Sequence, residues 1–126
     1  MIAEVRNKIY SLGSAITGLG GRFYYLEAPQ NTDKPYAVFS LIANPASRDT
    51  VTKFEEIYFQ INLYGDSLSA LETIENLTKQ KFDDCESTFT LSGYHCDRIE
   101  RELTRNAKFD TVFQLTIQYK LELTKL

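Results

Sequence analysis

The apolar positions of the chain follow two different spacings, which separate helical from extended segments. Near the start they recur every three or four residues and so fall on one stripe of a helix, at Ile2, Val5, Ile9, Leu12, Ile16 and Leu19. The same spacing returns over residues 67–82, where Leu68, Leu71, Ile74 and Leu77 form the apolar side. The pattern therefore predicts two amphipathic helices.

The second predicted helix has several candidate N-caps. Asp66, Ser67 and Ser69 all have side chains that cap helices well. Ser69 followed by Glu72 also matches the spacing of a capping box. The start of this helix is therefore expected near residue 67, with the capping residue left open.

Strict alternation of apolar and polar residues predicts strands in the rest of the chain. It is clearest in residues 55–66, and in a final strand whose apolar face carries Phe113, Leu115, Ile117, Tyr119, Leu121 and Leu123. Weaker signals predict strands over residues 22–26, 36–43 and 94–105, the last strongly charged. Residues 106–110 are predicted to be the turn of a terminal hairpin.

This order, α-β-β-β-α-β-β, predicts an α+β fold of one domain, residues 1–126, in which two helices cover one face of a mostly antiparallel sheet of about five strands. The other face stays partly open. Its uncharged polar and aromatic side chains resemble a protein interface more than a solvated surface: Tyr58, Gln60, Asn62, Tyr64, Gln114, Thr116 and Gln118.

Two charged segments are the other candidate interface regions. The connection over residues 44–56 is long and polar, and it is predicted to project with Arg48, Asp49 and Lys53. The charged strand places Arg98, Glu100 and Glu102 on one face and Arg101 on the other, with Arg105 further along. Such alternation is typical of a solvated face or of a surface that pairs subunits.

Charge and composition exclude several classes of function. With 14 basic and 17 acidic side chains in 126 residues, the net charge of -3 argues against a protein that grips nucleic acid. No apolar run reaches the roughly 20 residues of a membrane span, so no membrane partner is expected. Cys85 and Cys96 are expected as free thiols in a cytoplasm, because two cysteines alone make neither a disulfide framework nor a zinc site.

The candidate catalytic and cofactor motifs are incomplete. Gly18 and Gly20 begin a dinucleotide fingerprint, but Phe23 occupies the third glycine position and the order is helix then strand, so a chain reversal is favoured over a phosphate cradle. His95 and Cys96 are neighbours on a strand and point to opposite faces. We therefore expect no catalytic residue, no cofactor and no metal.

One segment carries a more specific pattern. A Gly-Arg-aromatic strand, an Ala-Pro-Gln turn and a Pro-Tyr-aliphatic strand follow one another at Gly21, Arg22, Tyr24, Ala28, Pro29, Gln30, Pro35, Tyr36 and Val38. With the flanking helices, this pattern resembles the tail completion or tail terminator family of long-tailed bacteriophages and prophages, over most of the chain.

The resemblance implies a structural protein of the virion tail or neck, assembled in the host bacterial cytoplasm. It implies a homo-oligomeric ring, a hexamer, that terminates the tail tube and joins it to the head connector. Its partners would be the tail tube protein and the head-tail connector protein, and DNA would pass through the ring without specific binding. Two alternatives remain open: a head-side adaptor or stopper of the neck, and a small intracellular ligand-binding α+β domain.

Overall fold

The structure is a computed structural model that describes residues 2–43 and 54–126. Within these residues the chain forms two α-helices, five strands and a short 3-10 turn, in the predicted order. The helices are α1, Ile2–Ser14, and α2, Leu68–Phe82. The strands are β1, Phe23–Tyr25, β2, Tyr36–Ala43, β3, Phe54–Gly65, β4, Tyr94–Phe109, and β5, Val112–Lys125. The 3-10 turn spans Glu86–Thr88.

The strands form one sheet in the order β1-β2-β3-β5-β4. Every neighbouring pair is antiparallel except β1 and β2, which run parallel. The two longest ladders join β3 to β5 and β5 to β4, so β5 lies between two full-length partners. The ladder between β4 and β5 shifts register twice, between Cys96 and Arg98 and between Arg101 and Leu103. The predicted α+β class with a mostly antiparallel sheet is confirmed.

Both helices lie on one face of this sheet, and the core fills the space between them. Val5 and Ile9 of α1 and Leu71, Ile74 and Phe82 of α2 are buried there. The alternation predicted for β3 and β5 is confirmed, since their apolar positions are buried: Ile57, Phe59, Ile61, Leu63, Leu115, Ile117, Tyr119, Leu121 and Leu123. Phe113, at the end of that row, is half-buried.

The first helix is shorter than its apolar stripe indicates. It ends at Ser14, and Ile16 and Leu19 reach the core from the turns that follow. Gly20 and Gly21 both have positive φ, at 58° and 78°, which reverses the chain before β1. Ile16 and Leu19 continue the helical spacing in the sequence although they lie outside α1, because both are buried in the same core as the apolar side of the helix.

One of the three candidate N-caps of α2 is confirmed, and the predicted hairpin turn is wrong. Ser67 caps α2: its side chain accepts a hydrogen bond from the Ala70 amide at 3.4 Å. The predicted turn at residues 106–110 is instead mostly strand, because β4 runs to Phe109 and only Asp110 and Thr111 turn the chain. Pairing with β5 extends the strand through this polar stretch.

Among the described residues, neither helix is long and apolar enough to span a bilayer.

Candidate functional site

The face of the sheet turned away from the helices, called the open face below, carries the uncharged polar residues predicted for it. Strand register places Gln60 opposite Gln118, Asn62 opposite Thr116, and Tyr64 opposite Gln114. These side chains are partly buried although no helix covers them, and Thr116 is only 3% exposed. The polar groups therefore shield one another.

Asn62 is the centre of this polar cluster. Its side-chain carbonyl oxygen accepts hydrogen bonds from Thr116 Oγ1 at 2.7 Å, Gln114 Nε2 at 3.1 Å and Gln60 Nε2 at 3.2 Å. One acceptor thus joins donors from β3 and β5. The arrangement fixes the side chains of the central strands and gives the open face a defined polar surface.

A stacked pair of tyrosines continues the open face toward β2. The rings of Tyr36 and Tyr64 lie 5.1 Å apart, and burial raises the pKa of Tyr64. Beside them the loop over residues 26–34 forms the wall of a pocket of about 530 Å³, with Val38 at its floor. The Ala-Pro-Gln turn of the sequence pattern therefore lines a pocket next to two partly buried aromatic rings.

The remaining residues of that sequence pattern hold the loop in place. The guanidinium of Arg22 donates a 2.9 Å hydrogen bond to the carbonyl oxygen of Pro35, and Tyr24 pairs with Val38 across β1 and β2. The Ala37 amide donates to the Arg22 carbonyl at 2.9 Å. The pattern is therefore a structural unit that holds the pocket loop against the start of β2.

The opposite end of the open face is charged. Lys120 Nζ lies 3.2 Å from Glu122 and 3.9 Å from Glu56, and the hydrogen bond to Glu122 raises the pKa of Lys120. Tyr58 donates to Glu56 at 3.2 Å. The Tyr58 pKa is raised, first by desolvation and then by this hydrogen bond. This end is a network of alternating charges.

The charged strand β4 extends that network, and its faces are as predicted. Arg98 pairs with Glu100 at 3.0 Å, and Gln118 Nε2 donates to Glu102 at 3.3 Å, both on the open face. Arg101 points the other way, to Asp83 at 3.2 Å. Arg105 is exposed opposite Thr116. These side chains thus belong to two surfaces rather than to one site.

Behind β4, Asp83 links three elements. Its carboxylate accepts a 2.8 Å hydrogen bond from the buried hydroxyl of Tyr119 and pairs with Arg101, at the rim of a polar pocket of about 300 Å³. Burial raises the pKa of Tyr119 well above its usual range. The sequence showed Asp83 only as an acidic neighbour of Asp84, because its partners lie far along the chain.

The two thiols have no arrangement for nucleophilic chemistry. Cys85 and Cys96 are free and buried, and burial raises the pKa of each to about 11. His95 is exposed and lies 2.8 Å from Asp97, not beside a thiol. Hydrogen bonds from Thr124 and His95 lower the pKa of Asp97. The two thiols therefore stay protonated and packed at neutral pH.

Arg48, Asp49 and Lys53, the interface candidates on the connection between β2 and β3, lie outside the described residues. Within residues 2–43 and 54–126, no group of three or more His, Cys, Asp or Glu side chains is arranged to hold a metal ion.

Comparison with known proteins gives a likeness of fold. No protein-family model and no curated protein sequence matches this chain. Its fold is similar to that of a chain in a solved structure described as the virion of a native gene transfer agent particle, with a TM-score of 0.75. The match covers 92% of this chain and 91% of that chain at 12% sequence identity. At this identity the likeness shows that the two chains share a fold.

Proposed function

We propose that this chain is a structural protein of a phage-like virion and that it acts as a tail terminator, a ring that ends the tail tube and joins it to the head. The observation that carries the proposal is the likeness of fold, over nearly the whole of both chains, to a component of a gene transfer agent virion. The residues that resemble the tail terminator family support it, because they form one structural unit around Arg22 and Pro35.

The surfaces of the chain suit assembly work. The open face offers ordered polar and aromatic groups around Asn62 and Tyr64, and β4 offers a charged edge at the other side of the sheet. A ring requires two different patches that meet between neighbouring subunits. In this proposal the tail tube protein and the head connector bind the ends of the ring, and DNA passes through it without specific binding, as the net charge of -3 favours.

Deleting the gene in a strain that produces particles tests the proposal. Loss of a tail terminator should give tails of uncontrolled length that do not join heads. Loss of a head-side adaptor or stopper should instead leave tails of normal length beside unjoined heads. Normal, joined particles after the deletion would exclude both roles and favour a ligand-binding domain. As the matching control, a tagged copy of the gene should restore normal tails. Imaging of the tag should then locate the protein at the neck.

A charge reversal tests the candidate interface on β4. Arg101 is unsuitable for this test, because it pairs with Asp83 inside the chain and its loss would also disturb the fold. Arg105→Glu changes an exposed side chain and should reduce ring assembly without loss of stability. Lys81→Glu, the same change on an exposed position of α2, should leave assembly intact. Equal assembly of both variants would remove Arg105 from the interface.

A further inference from the structure

Within the described residues, each side of the sheet has an uncovered stretch of edge. On one side β1 pairs with β2 only at Ala37, Val38 and Phe39, so from Ser40 to Ala43 no described strand pairs with the edge of β2 that faces away from β3. On the other side β4 is the last strand, and its second half is exposed at almost every position. Long uncovered edges are templates for pairing with another chain.

The edge of β4 is covered at Ile99, whereas no such contact covers its second half among the described residues. The Ile99 amide donates to the side chain of Glu86 at 3.2 Å, so a residue of the 3-10 turn occupies the edge there. Further along, Leu103 is 43% exposed and Phe109 is 60% exposed. Apolar side chains on an open edge favour association with another chain, and here they lie beyond the contact between Ile99 and Glu86.

The backbone groups that point outward can be assigned on both edges. On β2 the Ala37 amide and the Phe39 carbonyl bond outward to Arg22 and Leu26, so Leu41 is the next residue to point outward. On β4 the Phe109–Val112 pair closes a two-residue turn and is hydrogen-bonded within the hairpin, which turns Lys108 outward. Leu41 and Lys108 can therefore form a new hydrogen-bonded pair.

We infer that β4 of one copy pairs antiparallel with β2 of the next copy, with Lys108 opposite Leu41. The inference rests on the proposed ring and names the contact that closes it. Three antiparallel steps separate β2 from β4, so the two strands run in opposite directions. A neighbour generated by rotation about an axis along the strands keeps its strand direction, and therefore presents β2 antiparallel to β4.

The same register joins the exposed apolar side chains. It places Ile42, 60% exposed, opposite the small side chain of Ala107 and diagonal to Phe109, all on the open face. It also brings the hairpin turn at Asp110 level with the end of β1, which stops the pairing before the two strands collide. The sheet then continues from one copy to the next.

Paired cysteine substitutions test this contact. Ile42→Cys and Ala107→Cys would face each other in a non-hydrogen-bonded pair, where the Cα atoms of antiparallel strands are about 4.5 Å apart and a disulfide can form. Within one chain the two positions are separated by three strand spacings, at least about 14 Å, which a disulfide cannot span. Any disulfide between them therefore joins two copies.

The double variant, oxidised mildly on assembled particles and as purified chain, should give a ladder of disulfide-linked multimers. A mixture of the two single variants should stop at dimers, because each copy then carries one new thiol. Leu41→Cys with Ala107→Cys is the matched control, since these side chains lie on opposite faces and should not link. Oxidation of each single variant alone measures how much Cys85 and Cys96 contribute to disulfide-linked products.

The outcomes separate this contact from the proposed function. A ring at the neck without the ladder would overturn the pairing and leave the tail terminator proposal standing. A ladder from a chain that is absent from the neck would support the pairing and overturn the terminator proposal. Dimers of one single variant in which the new cysteine of one copy is linked to the same new cysteine of the other, as shown by mapping the disulfide, would overturn the pairing, because they require the same patch on both copies.

Discussion

The hydroxyl of Tyr119 donates a 2.8 Å hydrogen bond to Asp83 Oδ1, and this contact ties the middle of β5 to the residue that ends α2. Tyr119 is fully buried and its ring stacks on Phe59 at 5.1 Å. The second oxygen of Asp83 pairs with Arg101. One carboxylate therefore joins the helix layer, the central sheet and the edge strand.

We expect Asp83→Ala to destabilise the fold more than Tyr119→Phe does. The alanine variant leaves the buried Tyr119 hydroxyl without an acceptor, at a cost of about 1 to 3 kcal/mol. The phenylalanine variant removes the hydroxyl itself, so no buried donor is left without a partner, and it should cost about 1 kcal/mol. Urea unfolding of both variants measures the difference, with Asp84→Ala, an exposed neighbour, as control. Equal losses for Asp83→Ala and Asp84→Ala would show that the contact contributes nothing.

The buried thiols should make the fold less stable in alkali. Burial raises the pKa of Cys85 and Cys96 from 9.0 to about 11 in the folded chain. The folded state therefore keeps protons that the unfolded state loses, and the free energy of unfolding falls as pH rises from 9 toward 11. Each thiol should contribute on the order of 2 kcal/mol to this fall.

Denaturant unfolding at a series of pH values, under reducing conditions, measures that effect. The variant Cys85→Ala/Cys96→Ala should be less stable at neutral pH because of the lost packing, yet show a shallower fall between pH 9 and 11. Tyr119 adds its own loss above about pH 10 in both proteins, because its pKa is also raised by burial. A slope unchanged by the two substitutions would contradict the role of the thiols.

Asn62 should be the most sensitive polar residue of the open face. Asn62→Ala removes the shared acceptor and leaves the Thr116 hydroxyl buried without its 2.7 Å partner. We expect a loss of about 1 to 3 kcal/mol in the free energy of unfolding. Gln60→Ala removes one donor from a partly exposed position and should cost about 1 kcal/mol or less. Thermal and urea unfolding compare the two, and a reversed order would rule out the central role of Asn62.

The sequence predicts faces of strands better than it predicts partners. Tyr58, Asn62, Tyr64 and Thr116 lie on the open face as expected, because alternation along a strand decides the face whatever strand lies beside it. The sharing of the Asn62 oxygen depends on the register between β3 and β5, which no local pattern encodes. The contact of Tyr119 with Asp83 was not predicted for a similar reason, because it joins residues that are far apart in the sequence.

The ends of elements depended on tertiary contacts in a similar way. β4 continues through polar residues to Phe109 because β5 supplies a full-length partner. The parallel pairing of β1 with β2 involves only three residues of β1, which carry too little signal for the sequence to predict it. In each case the missing information lay in a residue distant along the chain.

Gly13→Ala should destabilise the fold although it improves helix propensity. A Cβ at this position of α1 would lie 2.2 Å from the ring of Phe23, far inside contact distance. Alanine is favoured over glycine in a helix by about 1 kcal/mol, whereas overpacking a core costs typically about 1 to 3 kcal/mol or more. The steric cost should exceed the gain in helix propensity, because Phe23 is fully buried and cannot move aside. Its ring stacks on that of Phe39, with the ring centroids 5.0 Å apart. Unfolding by urea should therefore show a net loss for Gly13→Ala.

The matching double variant separates sterics from helix propensity. Phe23→Leu alone should cost stability by leaving a gap next to Gly13. Combined with Gly13→Ala, it should restore part of the loss, because the new methyl group fills space that the ring has left. The two changes would then be coupled by more than about 0.5 kcal/mol, as expected for residues in contact. Strict additivity would show that the methyl group does not meet the ring.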